Sequence, residues 1–322
     1  MRKFRLIPDQ TAIRFMWMRR FNFPASAILS VLSVVLFVAI GPQYGIDFRG
    51  GSLIEIQPRA AYDLGDIRST LGGLNLGDVQ VTEVSDPIAG TSVLIRIQQQ
   101  EGGDAAQQAA IASVRDVFGD TVEFRRVETV GPRVSGELAR NGTIALVVTL
   151  VAILIYIWFR FEWQFAVGAI IATGHDVLMT LGFFVIARLD FNLSSIAAIL
   201  TIVGYSLNDT VVVYDRIREN LRKYRKMPLI ELLDRSVNET LSRTTQTSLT
   251  TLLALLALYA FGGEVIRSFV AAMIFGVVIG TYSSIYIAAP VLIFFRLRPG
   301  QAAEEEAAAA AAPGAPGTTG RV

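Results

Sequence analysis

Two textures alternate along the chain. Long apolar runs at 25–40, 143–159, 165–187, 193–214, 249–261 and 269–295 are separated by polar, charged stretches. Every run except 249–261 comes close to the ~20 residues needed to cross a bilayer. The uncharged polar residues 244–248 extend that short run at its start. The pattern predicts six membrane-spanning helices, which puts both termini on the same side.

Residues 45–135 are polar and mixed in charge, with no long apolar run. The stretch GIDFRGG at 45–51 reads as a turn leading into a strand, its glycines suited to backbone angles that other residues resist. Residues 52–57 alternate as a strand should. Residues 64–71 have helical spacing and stop at Gly72 and Gly73. Strands at 79–84 and 92–97 flank a Pro/Gly turn. A second amphipathic helix, 105–118, opens at the cap candidate Asp104 and closes at Gly119, and 121–127 reads as a last strand. The order β-α-β-β-α-β is a ferredoxin-like pattern. The expected fold is therefore an α-helical integral membrane protein with six transmembrane helices plus one ferredoxin-like α+β extracytoplasmic domain. Its expected parts are a cytoplasmic N-terminal segment (1–23), a first span (24–44), the α+β domain (45–135), spans two to six (136–298) with a cytoplasmic amphipathic segment (215–243), and a disordered tail (299–322).

Composition agrees with a membrane protein. Apolar residues make up 52% of the 322, and the mean hydropathy is +0.48, too apolar for an ordinary soluble chain of this length. The absence of cysteine excludes disulfides and thiol chemistry, and a single histidine excludes a multi-histidine metal site. Net charge is +1, so basic residues matter by position. Arg160, Arg216, Arg218, Arg222, Lys223, Arg225, Lys226, Arg235, Arg296 and Arg298 lie on one side of the expected spans. The short loops opposite hold only Arg188 and Arg267. The positive-inside rule then puts the termini and 215–243 in the cytoplasm and the 45–135 domain outside it. The basic leader before 25–40 also suits a signal peptide, but no A-x-A site follows, which favours a retained span. Segment 215–243 is expected to lie helical along the membrane, its Lys/Arg run facing anionic lipid rather than nucleic acid.

Candidate chemistry sits inside the spans. Asp209, flanked by Asn208 and Thr210, lies in an apolar run. An ionisable group at that depth is expensive unless paired or hydrated, which makes it a functional candidate; the alternative is a carboxylate that caps or glues neighbouring helices. Arg243 opens span five, followed by eight residues of which seven are polar. Arg243, Thr247, Thr250 and Thr251 share one helical face, which could line a hydrated cavity or pack on a polar helix. Spans four and five are antiparallel neighbours, so Asp209 and Arg243 can meet at similar depth; the alternatives are a fixed ion pair or a snorkelling arginine. His175 and Asp176 lie near the centre of span three and suit either proton transfer or a structural hydrogen bond. Neighbouring helical positions diverge by about 100°, so the two need not share a face. Gly276, Gly280, Ser284 and Ala288 place a small residue at every fourth position, a helix-packing stripe. No nucleophile is paired with a base in the 45–135 domain, which reads as a binding or lever module rather than an enzyme.

Four blocks carry a resemblance: GIDFRGG at 45–51, GHD at 174–176, YSLNDTVVVYDRIREN at 205–220 and SRTTQTSLTT at 242–251. With the six-span layout and one large loop after the first span, residues 20–298 resemble the SecD/SecF family of protein-export membrane proteins, and its SecF branch in particular. The resemblance implies half of a transporter of the resistance-nodulation-division superfamily in the bacterial inner membrane. It implies pairing with SecD and association with the SecYEG channel, often with YajC. It also implies a role in late export of unfolded polypeptides, driven by the proton gradient or, in some bacteria, by sodium. It assigns ion coupling to Asp209 and Arg243, and matches His175 and Asp176 to the family's His-Asp pair. No cofactor is implied. Two alternatives stay open: a half-size exporter of drugs or lipids of the same superfamily, and a passive scaffold whose buried charges only hold helices together.

Overall fold

The computed structural model describes residues 11–86, 90–295 and 297. The first ten residues, the turn expected at 87–89, Arg296, Arg298 and the tail at 299–322 lie outside the described residues.

Among the described residues, six helices are long and apolar enough to cross a membrane. They are α1 (Arg19–Ala39), α5 (Pro132–Arg160), α6 (Trp163–Ile186), α7 (Leu193–Lys223), α8 (Leu229–Phe261), and α9 (Arg267–Ser283) continued through a π-helical turn (Ser284–Ala288) into α10 (Ala289–Phe294). α6, α7 and α9 form the packed centre, while α1, α5 and α8 leave most of their apolar surface open to the surroundings.

Between α1 and α5 sits the α+β domain. One helical turn, α2 (Ile46–Arg49), follows the short strand β1 (Gln43–Tyr44). The chain then folds as β2 (Gly51–Pro58), α3 (Leu64–Gly72), β3 (Val79–Asp86), β4 (Gly90–Ile97), α4 (Gly103–Phe118) and β5 (Val122–Val130). The four strands pair antiparallel in the order β3-β4-β2-β5. Ile54, Ile56, Val93, Ile95 and Ile97 of the sheet close a core with Ile67 and Leu71 of α3 and Ala110, Ile111 and Val114 of α4. Gly51 enters the sheet at φ 110°, and a Cβ there would stand 2.3 Å from the Ile97 carbonyl oxygen, so only glycine permits this approach.

Four expectations change. Asp104 is not the cap of α4: the cap position is Gly102, with φ 115°, and Asp104 lies in the first turn. Span two does not begin near 136 but at Pro132, directly after β5, because proline at the first helical position after Gly131 starts a helix without needing its missing N–H. Segment 215–243 is not a separate helix along the membrane. α7 and α8 run unbroken for 31 and 33 residues, roughly 45–50 Å each, well beyond an apolar core of ~30 Å. Their ends therefore project as an antiparallel hairpin. Asn220 Nδ2 donates to Ser236 Oγ (2.9 Å) and Glu239 Oε2 (2.8 Å), and Arg216 Nε donates to Glu239 Oε2 (2.7 Å). Finally, the GIDFRGG turn does more than lead into a strand: β1 pairs in parallel with β6 (Asp190–Phe191), and Asp47 Oδ2 accepts the backbone N–H of Leu193 (3.0 Å). Both contacts tie the domain's root to the start of α7.

Candidate functional site

α7 starts at a capping box. Asn192 Oδ1 accepts the Ser195 N–H (3.0 Å), and Ser195 Oγ accepts the Asn192 N–H (3.1 Å). From this anchor the helix carries Ser206, Asn208, Asp209 and Thr210 into the bundle. Asp209 is 3% exposed and Thr210 1%. Neither Asp209 Oδ2 nor the Thr210 hydroxyl has a hydrogen-bond partner among the described residues, and the Thr173 hydroxyl on α6 and the Thr244 hydroxyl on α8 share that condition. Buried polar atoms without partners are rare enough to need an explanation. Asn208 turns outward instead and is exposed.

Arg243 is the positive charge that acts on Asp209, without a direct ion pair between them among the described residues. The guanidinium-bearing residue is itself exposed. The face of α8 that packs inward is offset from the expected one. Thr244, Ser248 and Leu255 are buried, whereas Arg243 and Thr250 are exposed and Thr247 and Thr251 half-buried. Thr247 Oγ1 returns to the Arg243 and Thr244 carbonyls (3.2 and 2.9 Å), so its hydroxyl is used within its own helix. Ser248 makes the cross-helix bonds, sharing a hydrogen bond with Thr281 Oγ1 (2.7 Å) and accepting from Tyr205 (3.3 Å).

His175 and Asp176 do meet, in spite of their consecutive positions. Asp176 is fully buried. Its Oδ1 pairs with His175 Nδ1 at 2.9 Å, and its Oδ2 accepts from Ser206 Oγ (2.5 Å) and Ser283 Oγ (2.6 Å). The carboxylate thus joins α6, α7 and α9. Ser206 sits one helical turn before Asp209, so the two acids are served by the same side of α7. The His175 ring stacks at a tilt beside Tyr282, whose hydroxyl shares a 2.8 Å hydrogen bond with Ser26 of α1. Ser283 and Tyr282 carry no mark in the sequence beyond being polar residues in spans. Only Ser206, three residues before Asp209, had a positional signal.

The small-residue stripe has a specific partner. A Cβ on Gly276 would lie 2.3 Å from Ile202 Cγ1, and one on Gly280 2.9 Å from Ser206 Cβ, so α9 packs hard on α7. Ser284, buried, opens the π-helical turn and donates to the Thr281 carbonyl (3.0 Å). A π turn weakens the regular ladder and often accompanies function. The Tyr214 hydroxyl steadies this one by donating to the Ala288 carbonyl (3.0 Å).

A family model described as protein export membrane protein SecD/SecF, C-terminal, matches residues 109–298, and one described as the SecD/SecF GG motif matches residues 35–61. The chain belongs to the SecD/SecF family. Protein translocase subunit SecF of Cereibacter sphaeroides is 44% identical over 91% of this chain and 92% of its own. Protein translocase subunit SecDF of Brucella abortus is 47% identical over 92% of this chain but only 39% of its own length. The crystal structure of SecDF, a translocon-associated membrane protein from Thermus thermophilus, superposes with a TM-score of 0.80 at 35% identity, covering 90% of this chain and 40% of that one. This SecD/SecF-family chain is a multi-pass membrane protein and a protein translocase subunit of the SecF/SecDF type.

Proposed function

We propose that this chain pairs with SecD in the bacterial inner membrane and uses the proton-motive force to promote late translocation of unfolded polypeptides delivered through SecYEG, with YajC as an associate. Both termini face the cytoplasm, and the α+β domain lies outside it. The domain's strand order β3-β4-β2-β5, all antiparallel, supports reading it as ferredoxin-like. The work is coupled to ion movement and involves no covalent catalysis.

One observation carries this reading: a buried carboxylate oxygen of Asp209 with no partner among the described residues, in a membrane-spanning helix, with Arg243 near enough to act on it and no ion pair between the two among those residues. A carboxylate at that depth costs roughly 3 kcal/mol or more, and a purely structural one would be fully paired. Asp176 is the contrast in the same bundle, with hydrogen bonds to both oxygens. Arg243 close by favours the charged form of Asp209; separation and dehydration favour the neutral form. A relative shift of α7 and α8 therefore loads and releases a proton. The orphan hydroxyls of Thr173, Thr210 and Thr244 are available along the way.

Asp209→Asn keeps shape and hydrogen-bonding capacity but cannot ionise. The expected outcome is normal insertion and partner binding with loss of the gradient-dependent increase in export of a secreted protein, measured with and without the gradient. Asp209→Glu should retain part of it. A full gradient response in Asp209→Asn would show that the coupling role is wrong.

A further inference from the structure

Where the α+β domain meets the membrane helices, a cavity of about 450 Å³ opens. Its floor is apolar, formed by Ile40 at the end of α1 and Val185 at the end of α6. Both helices finish here, so the floor lies at the edge of the bilayer. Three arginines reach the lining: Arg49, Arg96 and Arg188. Arg96 is already neutralised, with Nη2 2.5 Å from Asp190 Oδ2. Arg49 and Arg188 are exposed and form no ion pair among the described residues. Asp78 is the single carboxylate on the lining, against these two free cations.

The Arg49 guanidinium and the Arg188 backbone are both held in place. The Arg49 guanidinium lies over the Tyr44 ring, 5.4 Å from its centroid, and Tyr44 is itself packed edge-on against Phe48 and Phe191. Arg188 closes α6: its N–H bonds the Val185 carbonyl (3.3 Å), and the next residue, Leu189, bonds the Phe184 carbonyl (3.0 Å). This is a Schellman ending, whose left-handed position normally takes glycine. Here an arginine occupies it at φ 51°, at a steric cost that glycine would avoid. Strained non-glycine residues of this kind gather at ligand clamps. The positive-inside rule makes a cation unusual on this side of the membrane if the domain lies outside the cytoplasm.

We propose that this cavity binds the phosphodiester headgroup of an anionic phospholipid from the leaflet on the domain's side. Arg49 and Arg188 take the phosphate, and the floor of Ile40 and Val185 takes the glycerol and the first methylenes. The bound lipid bridges the domain to the ends of α1 and α6. The site is separate from the basic hairpin tip at 222–226, which lies at the opposite ends of the helices.

The test uses the full chain, purified in mild detergent and examined by native mass spectrometry with added dioleoylphosphatidylglycerol, dioleoylphosphatidylcholine or inorganic phosphate. Wild type should retain phosphatidylglycerol and lose phosphatidylcholine under the same activation. Arg49→Gln/Arg188→Gln should weaken retention about tenfold or more, as loss of two phosphate-facing cations implies. Arg49→Lys/Arg188→Lys should keep most of it, and Arg225→Gln/Lys226→Gln should leave the tightest adduct in place. Equal retention of the two lipids overturns the proposal, as does wild-type retention in the glutamine pair. Displacement of the lipid by millimolar inorganic phosphate makes the site one for a free anion and overturns the lipid assignment. If the glutamine and lysine pairs both lose the adduct and both melt earlier than wild type, the arginines serve the fold instead.

Discussion

The contact between Gly276 and Ile202 can be tested by a double-mutant cycle. In Gly276→Ala the new methyl would lie 2.3, 2.4 and 2.7 Å from three side-chain carbons of Ile202. Ordinary carbon contacts are about 3.5–4 Å, so the helices must separate by roughly 1 Å. Ile202 is branched at Cβ, hence stiff at χ1, and 1% exposed. Overpacking of this kind costs about 1–3 kcal/mol. Ile202→Ala alone leaves a cavity, with a cost near the low end of about 2–5 kcal/mol because lipid is as apolar as the side chain it replaces. The double variant gives the new methyl the space that isoleucine vacates. Its cost should fall short of the sum by about 1–3 kcal/mol. The assay is the midpoint of heat-induced loss of monodisperse protein in detergent. Gly204→Ala serves as the control, since a Cβ there meets nothing within 4 Å. If Gly276→Ala is as benign as Gly204→Ala, or if the cycle is additive, the close α7–α9 packing is wrong.

Three more outcomes follow from other parts of the molecule. Ala109 and Arg225 are both exposed; in this cysteine-free chain, the proposed orientation makes Ala109→Cys react with an impermeant thiol reagent added outside the membrane and Arg225→Cys only after permeabilisation, and the reverse pattern would invert the topology. A fragment of residues 45–132 should unfold cooperatively in urea, and Ile95→Ala should destabilise it by about 2–5 kcal/mol, because Ile95 is fully buried; gradual unfolding of the parent fragment would mean that the domain depends on its neighbours. Asn238 clamps the N-terminal segment, accepting the Ile13 N–H (3.0 Å) and donating to the Ile13 carbonyl (2.8 Å). Asn238→Ala should therefore speed tryptic cleavage after Arg14, and an unchanged rate would show that the clamp does not hold the segment.

Periodicity carried the elements well. The run at 165–187, the start of the run at 193–214, and the strands and helices of the α+β domain lie within a few residues of their observed bounds, because burial on one face leaves a local imprint. The Gly276–Gly280 stripe was readable for the same reason. What failed was anything that depends on which helix faces which. The face of α8 drawn from Arg243 and Thr247 is offset from the buried one at Thr244 and Ser248, because a run of threonines and serines looks polar on every side. The Asp176 cluster needed Ser206 and Ser283, which stand 30 and 107 residues away, and a serine in a span usually bonds its own helix. The pairing of β1 with β6 joins two-residue strands separated by nearly half of the chain, too short to show any alternation.

That small pairing has a mechanical consequence. Through β1 and Asp47 the root of the α+β domain is bolted to the first residues of α7, and Asp209 lies on the same unbroken rod. The separation from Leu193 to Asp209 is sixteen rises of 1.5 Å, about 24 Å. A pivot of ~10° about Asp209 would sweep the rod's outer end sideways by about 4 Å, and the hydrogen bond to Leu193 would drag the domain's foundation with it. Displacements far too small to open a pore at the level of the acid would thus arrive at the domain enlarged, without any hinge in between.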